Sequence, residues 1–174
     1  FVQNGSVSGA SAVQSIAGDP HFERCRFMQN FGGGGAIVAN GGAMTLVNSV
    51  MGGNSAAQTG AALWSINAST LMLGCTVYGN TTTQPTNSSG GVHVDGGDLT
   101  LGNSIFWAND APAGSVVTYN LFINTAASLA SCTTVEGAAL GWGSGAGTNG
   151  IDPEVVDLDG ADDGRTWDFT DRGE

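Results

Sequence analysis

Fifteen carboxylates and four arginines carry all the formal side-chain charge of this 174-residue chain, which has no lysine. Asp157, Asp159, Asp162 and Asp163, with Asp168 nearby, bring carboxylates close together on a Gly-containing stretch. Hard cations such as calcium take oxygen donors of this kind. The spacing is not that of an EF-hand, and a solvated acidic linker is the plainer alternative. Asp95 and Asp98 bracket a Gly-Gly turn, and Asp110 follows an Asn roughly one repeat later. Glycoside hydrolysis needs two carboxylates ~5–9.5 Å apart, and an approach across one repeat would supply them. Asp in its ordinary turn-forming role explains the same residues. Elimination from a uronate would need an Arg or Lys base with cationic or calcium partners for the carboxylate, and Arg24 and Arg26 flank Cys25 in the manner of an outward-facing surface pair. His93 alternates with Val92 and Val94 and is expected to face solvent. His21 follows Asp19-Pro20, and neither histidine has a partner at metal-ligand spacing.

The net charge of −11 is unevenly distributed: residues 1–151 hold six acids and two Arg, residues 152–174 nine acids and two Arg. Phosphate binding requires clustered Lys/Arg, so nucleic acid is excluded as a partner, and anionic membranes and polyuronates are disfavoured. No apolar run approaches the roughly 20 residues of a membrane helix, so no transmembrane segment is expected. Without an initial Met, the chain reads as a mature or excised piece of a longer polypeptide. Gly is 29 of 174 residues and only 11% are charged, a composition suited to tight turns and small side chains packed in layers.

What must position these residues is a repeat. Cys25-x-Phe27-x-x-Asn30, Ser49-x-Met51-x-x-Asn54, Cys75-x-Val77-x-x-Asn80 and Ser104-x-Phe106-x-x-Asn109 share one pattern, with Asn-to-Asn spacings of 24, 26 and 29 residues. Upstream of each later unit lies an alternating segment: Met44–Leu46, Leu71–Leu73 or Leu99–Leu101. Downstream, Gly-rich turns lead to 35–38, 61–64, 91–94 and 115–117. Period-two alternation in three- to five-residue segments specifies strands. So thin a unit cannot bury its own apolar face and must stack on its neighbours.

The fold expected is therefore all-β: a right-handed parallel β-helix of about four to five coils with an acidic, irregular tail. Residues 1–150 form the solenoid, with the clearest repeats over 20–140, and 151–174 form the tail or linker. Phe27, Met51, Val77 and Phe106 share an internal column. Cys25, Ser49, Cys75 and Ser104 share another, joined by Cys132 in a fifth coil. Same-column residues two rungs apart are ~10 Å distant, beyond disulfide reach, so all three cysteines read as buried free thiols. The Asn column lies at a corner suited to coil-to-coil amide bonds and left-handed backbone. The differences in coil length fall in the turn after Asn, longest at 81–90, and the fifth coil offers no ladder Asn. Trp64, Tyr78, Trp107 and Trp142 fall at strand ends or turns, and the first three are candidates for an aromatic strip that stacks on sugar or seats a protein, with packing under the long loops as the alternative.

Gly34-Gly35-Ala36-Ile37 with Phe27-x-x-Asn30 and Phe106-x-x-Asn109 resembles the GGA[ILV] and FxxN repeats of polymorphic outer-membrane autotransporter passengers. More broadly, it is similar to the pectin-lyase-like β-helix repeat proteins secreted by bacteria. That resemblance implies an extracellular or cell-surface setting. The leading expectation is a non-enzymatic scaffold, adhesin-like or an assembly module, meeting a protein or glycan through its faces or open ends. The rival expectation is a carbohydrate-active β-helix, a lyase or glycoside hydrolase fragment, with its active face on coils 80–125. No cofactor is required by either, and calcium is the single candidate ion.

Overall fold

The computed structural model describes residues 1–85, 88–112, 120–124, 127–131 and 133–135. Among these residues there is no helix, and strand pairs with strand in parallel through about four turns of a β-solenoid. Three sheets wrap the axis. The long face runs Val13–Ile16, Ile37–Asn40, Leu63–Leu73, Val92–Gly102 and Leu121–Asn124, and is continued laterally by His21–Glu23, Ala43–Val47 and Ala127–Ser131. A second face stacks Arg26–Met28, Val50–Gly52, Thr76–Tyr78, Ile105–Trp107 and Thr134–Val135. Two-residue strands at Gly5–Ser6, Phe31–Gly32, Ser55–Ala56 and Thr81–Thr82 form the third.

Register follows the repeat. Phe27, Met51, Val77, Phe106 and Val135 pair in succession inside the barrel, each 2% exposed or less. Val13, Ile37, Leu63, Val92 and Leu121 form the facing column. The segment Leu71–Leu73 sits one residue out of phase with its neighbours: Thr70, not Leu71, lies between Met44 and Leu99. Thr70 is buried there because its hydroxyl bonds that of Ser65 at 2.8 Å, so the two polar groups satisfy each other inside the core.

The Cys/Ser column caps backbone as well as filling space. Ser49 and Ser104 hydroxyls accept the N–H of Cys25 and Cys75 from the adjoining coil, both at 3.1 Å. Each hydroxyl also donates to the carbonyl two residues before it, and the Cys75 thiol bonds the equivalent carbonyl of Leu73. Cys25 and Cys75 are free thiols, but only Cys75 is buried; Cys25 is half-buried in the first coil. Burial pushes the Cys75 thiol above its ordinary pKa, the form expected of an inert core group. The fifth place in the column belongs to Thr133, since Ile105 pairs with Thr134; Thr133 is buried and its hydroxyl bonds Ser131 O. Cys132 lies outside the described residues, as do Trp142 and the whole of 151–174.

Asn30, Asn54, Asn80 and Asn109 form the expected corner ladder, and it extends further at both ends. Each amide nitrogen donates to the Oδ1 of the Asn in the next coil, from Asn4 through Asn30, Asn54, Asn80 and Asn109 to Asn120, at 2.7–2.9 Å. The repeat spacing offers no Asn at the last position. Asn120 fills it from only 11 residues beyond Asn109. The ladder residues themselves are not left-handed. Positive φ falls on the residue before each of the first five: Gln3, Gln29, Gly53, Gly79 and Ala108.

Coil length varies in one place. Val13 to Asn30, Ile37 to Asn54, Leu63 to Asn80 and Val92 to Asn109 are each 17 positions apart. The connection from ladder Asn back to the long face spans 9, 7, 9 and 12 positions in successive coils (4–13, 30–37, 54–63 and 80–92). The core therefore stays uniform while one turn grows outward, and that growth builds the site.

Candidate functional site

The outward positions of the long face carry a second, non-core column. Val38, Trp64, His93 and Phe122 are direct partners in successive coils. The lengthened turns fold over this column and are fastened there. Thr82 Oγ1 donates to Gln58 O, Ser88 Oγ to Gln84 O at 2.7 Å, and Gly60 N to Ser89 O at 2.8 Å. The result is a cleft of about 530 Å3, floored by Trp64, His93 and Phe122. Gln58, Thr59 and Gln84 on the turns, with Asp95 and Asn124 on the strands, complete its lining. That volume lies within the ~300–1,000 Å3 range of small-molecule sites.

His93 corrects the sequence expectation: it is 5% exposed rather than solvent-facing. Alternation aims it outward correctly, but the turns cover it and Phe122 stacks on it, with ring centroids 4.4 Å apart and planes 20° from parallel. Burial depresses its pKa from 6.5 to about 4, against the opposing charge of Asp95. Its Nδ1 lies 2.6 Å from Thr59 Oγ1, which also accepts the Ser89 N–H at 3.2 Å.

Asp95 stands exposed at the rim, where Asn124 Nδ2 donates to its Oδ1 at 2.9 Å. Asp98 is also exposed, on the lateral half of the same strand. Asp110 lies beyond the second face, bridged to Thr81 beside the Asn ladder. Of the three carboxylates singled out from sequence, only Asp95 lines the cleft. The aromatic strip also divides. Trp64 belongs to the cleft, whereas Tyr78 and Trp107 pair with each other on the second face, the Tyr78 ring lying against Gly52. Trp64 Nε1 is a buried donor without a partner among the described residues, a situation that costs roughly 1–3 kcal/mol. Arg24 and Arg26 are both exposed, as expected, with Arg24 Nε 3.6 Å from Glu23 Oε1.

Among the described residues no three His, Cys, Asp or Glu side chains gather into a metal-binding group. The calcium candidates Asp157, Asp159, Asp162 and Asp163 lie outside those residues. Nor is any described helix long and apolar enough to cross a membrane.

Gln58, Thr59, Gln84, Phe122 and Asn124 were not legible as site residues. The signal available was spacing: Trp64, His93 and Phe122 are each 29 positions apart, one coil at this point of the chain. No protein-family model, no curated protein and no solved structure matches the chain. The cleft therefore has to be interpreted from its own chemistry.

Proposed function

We propose that this chain is a non-enzymatic, extracellular β-solenoid, an adhesin-like or assembly module that engages a glycan or protein partner through the cleft on its long face. The observation that carries this reading is the cleft itself. Elsewhere the turn after Asn closes in as few as seven positions, whereas here it is extended and pinned over a column of rings. Half-buried Trp64 and Phe122 offer apolar contact, and the amides of Gln58, Gln84 and Asn124 offer paired donors and acceptors. Rigid rings beside adaptable amides suit recognition. The repeat motifs accord with a kinship to autotransporter passengers and pectin-lyase-like proteins, and the surface setting is proposed on that resemblance.

The carbohydrate-active alternative is less well supported. Among the described residues the cleft lining holds one carboxylate, Asp95, whereas hydrolysis uses two on opposite sides of the bond. Affinity electrophoresis through soluble polysaccharides, combined with reducing-end and unsaturated-uronate assays, separates the two. The binding reading expects retarded migration, abolished in Trp64→Ala, with no product released. Product formation lost in Asp95→Ala would establish the enzyme instead.

A further inference from the structure

The chemistry of the cleft narrows what it can hold. Its floor is a ladder of three rings across two rungs, ~10 Å at the usual strand spacing, about the length of a di- to trisaccharide. Trp64 and Phe122 are half-buried, so part of each ring remains open to a ligand, while His93 between them is almost wholly covered. The side chains around the floor are the three amides, the Thr59 hydroxyl and the Asp95 carboxylate. Among the described residues no arginine lines the cleft, and the chain has no lysine, while Asp95 adds a negative charge to a chain of net charge −11. An anionic ligand would meet repulsion there, with no cation among the described lining residues to offset it. The imidazole does not change this, because the Thr59 hydroxyl occupies Nδ1 and burial keeps the ring neutral.

We infer that the cleft takes a neutral, hydroxyl-rich oligosaccharide laid along the solenoid axis. Its apolar C–H groups lie against the open edges of the Trp64 and Phe122 rings, and its hydroxyls exchange hydrogen bonds with Gln58, Gln84, Asn124 and Asp95. Asp95 is suited to accept from sugar hydroxyls, since Asn124 already holds its Oδ1 in place. Uronic, sulfated and phosphorylated glycans are rejected by the same groups. This inference rests on the cleft being the ligand site proposed above and specifies the class of ligand.

The test is calorimetric titration of the full chain with neutral hexasaccharides (cello-, malto- and xylo-oligomers) and with hexagalacturonate, each at low and high sodium chloride. At least one neutral series is expected to bind, with little change in affinity on raising salt. Trp64→Ala should weaken binding about tenfold, as for a central aromatic anchor. Gln84→Ala, a change in a surface turn that leaves the core intact, should weaken it severalfold. Failure of every neutral series overturns the inference. Hexagalacturonate binding that Trp64→Ala removes also overturns it, yet leaves the cleft as a ligand site. Neutral binding indifferent to both substitutions overturns the inference and the cleft proposal together.

Discussion

Asn80 shows how much a single polar side chain does in this fold. Its Oδ1 accepts both the backbone N–H and the Nδ2 of Asn54, and its Nδ2 donates to Asn109 Oδ1 and Met51 O. Asn80→Ala strands several buried donors and acceptors at once, so we expect a loss of about 3 kcal/mol or more by urea unfolding. Asn4→Ala, at the exposed end of the same ladder, should cost less than about 1 kcal/mol. Equal costs would mean that the ladder does not bear on stability as described. His93 gives a pH signature. Its folded pKa of about 4 lies below its ordinary 6.5, so between these values the unfolded chain binds a proton that the folded chain excludes. Stability should therefore fall as pH drops from about 6.5 to 4 and this contribution should level off below, amounting to roughly 3 kcal/mol. His93→Gln should remove that component, and an unchanged pH profile of unfolding would argue against a buried neutral imidazole. The ladder was readable in sequence because Asn recurs at a fixed place after the core residue. His93 was misread because alternation reports which way a side chain points and is silent about a distant turn that covers it.

At the scale of elements, the strands form a constant frame and the turns vary. Tight packing between coils depends on glycine at particular corners. A Cβ at Gly35 would run into the carbonyl oxygen of Gly60 in the next coil, whereas one at Gly79 meets nothing within 4 Å. Gly79 does have a φ of +60°, so Gly79→Ala should cost only about 1 kcal/mol of backbone strain. Gly35→Ala should cost about 3 kcal/mol, since backbone must shift, and chemical denaturation of the two variants tests the contrast. The periodicity alone placed the strand columns and put the slack in the turn after Asn. It misphased Leu71–Leu73, because a Leu-Met-Leu run looks alike from either face and only the buried Ser65–Thr70 pair fixes which residue turns inward. It also missed Asn120, which reaches the ladder from the start of the following strand rather than from the repeat position.

The whole molecule is a stack of coils, each held chiefly by its neighbours, so one uniform core can carry a local elaboration without being rebuilt. The elaboration here is the cleft, and the central claim is that it binds a ligand and leaves it intact. The most direct measurement is an NMR titration of the full chain with the neutral hexasaccharides, following side-chain amide and indole signals while reducing ends are assayed in the same tube. Shifts are expected at the Trp64 indole and at the Gln58, Gln84 and Asn124 amides, with unmoved signals from Asn54 and Asn80 in the ladder and no new reducing ends. Sugar cleavage, or shifts confined to residues away from the cleft, would contradict the central claim.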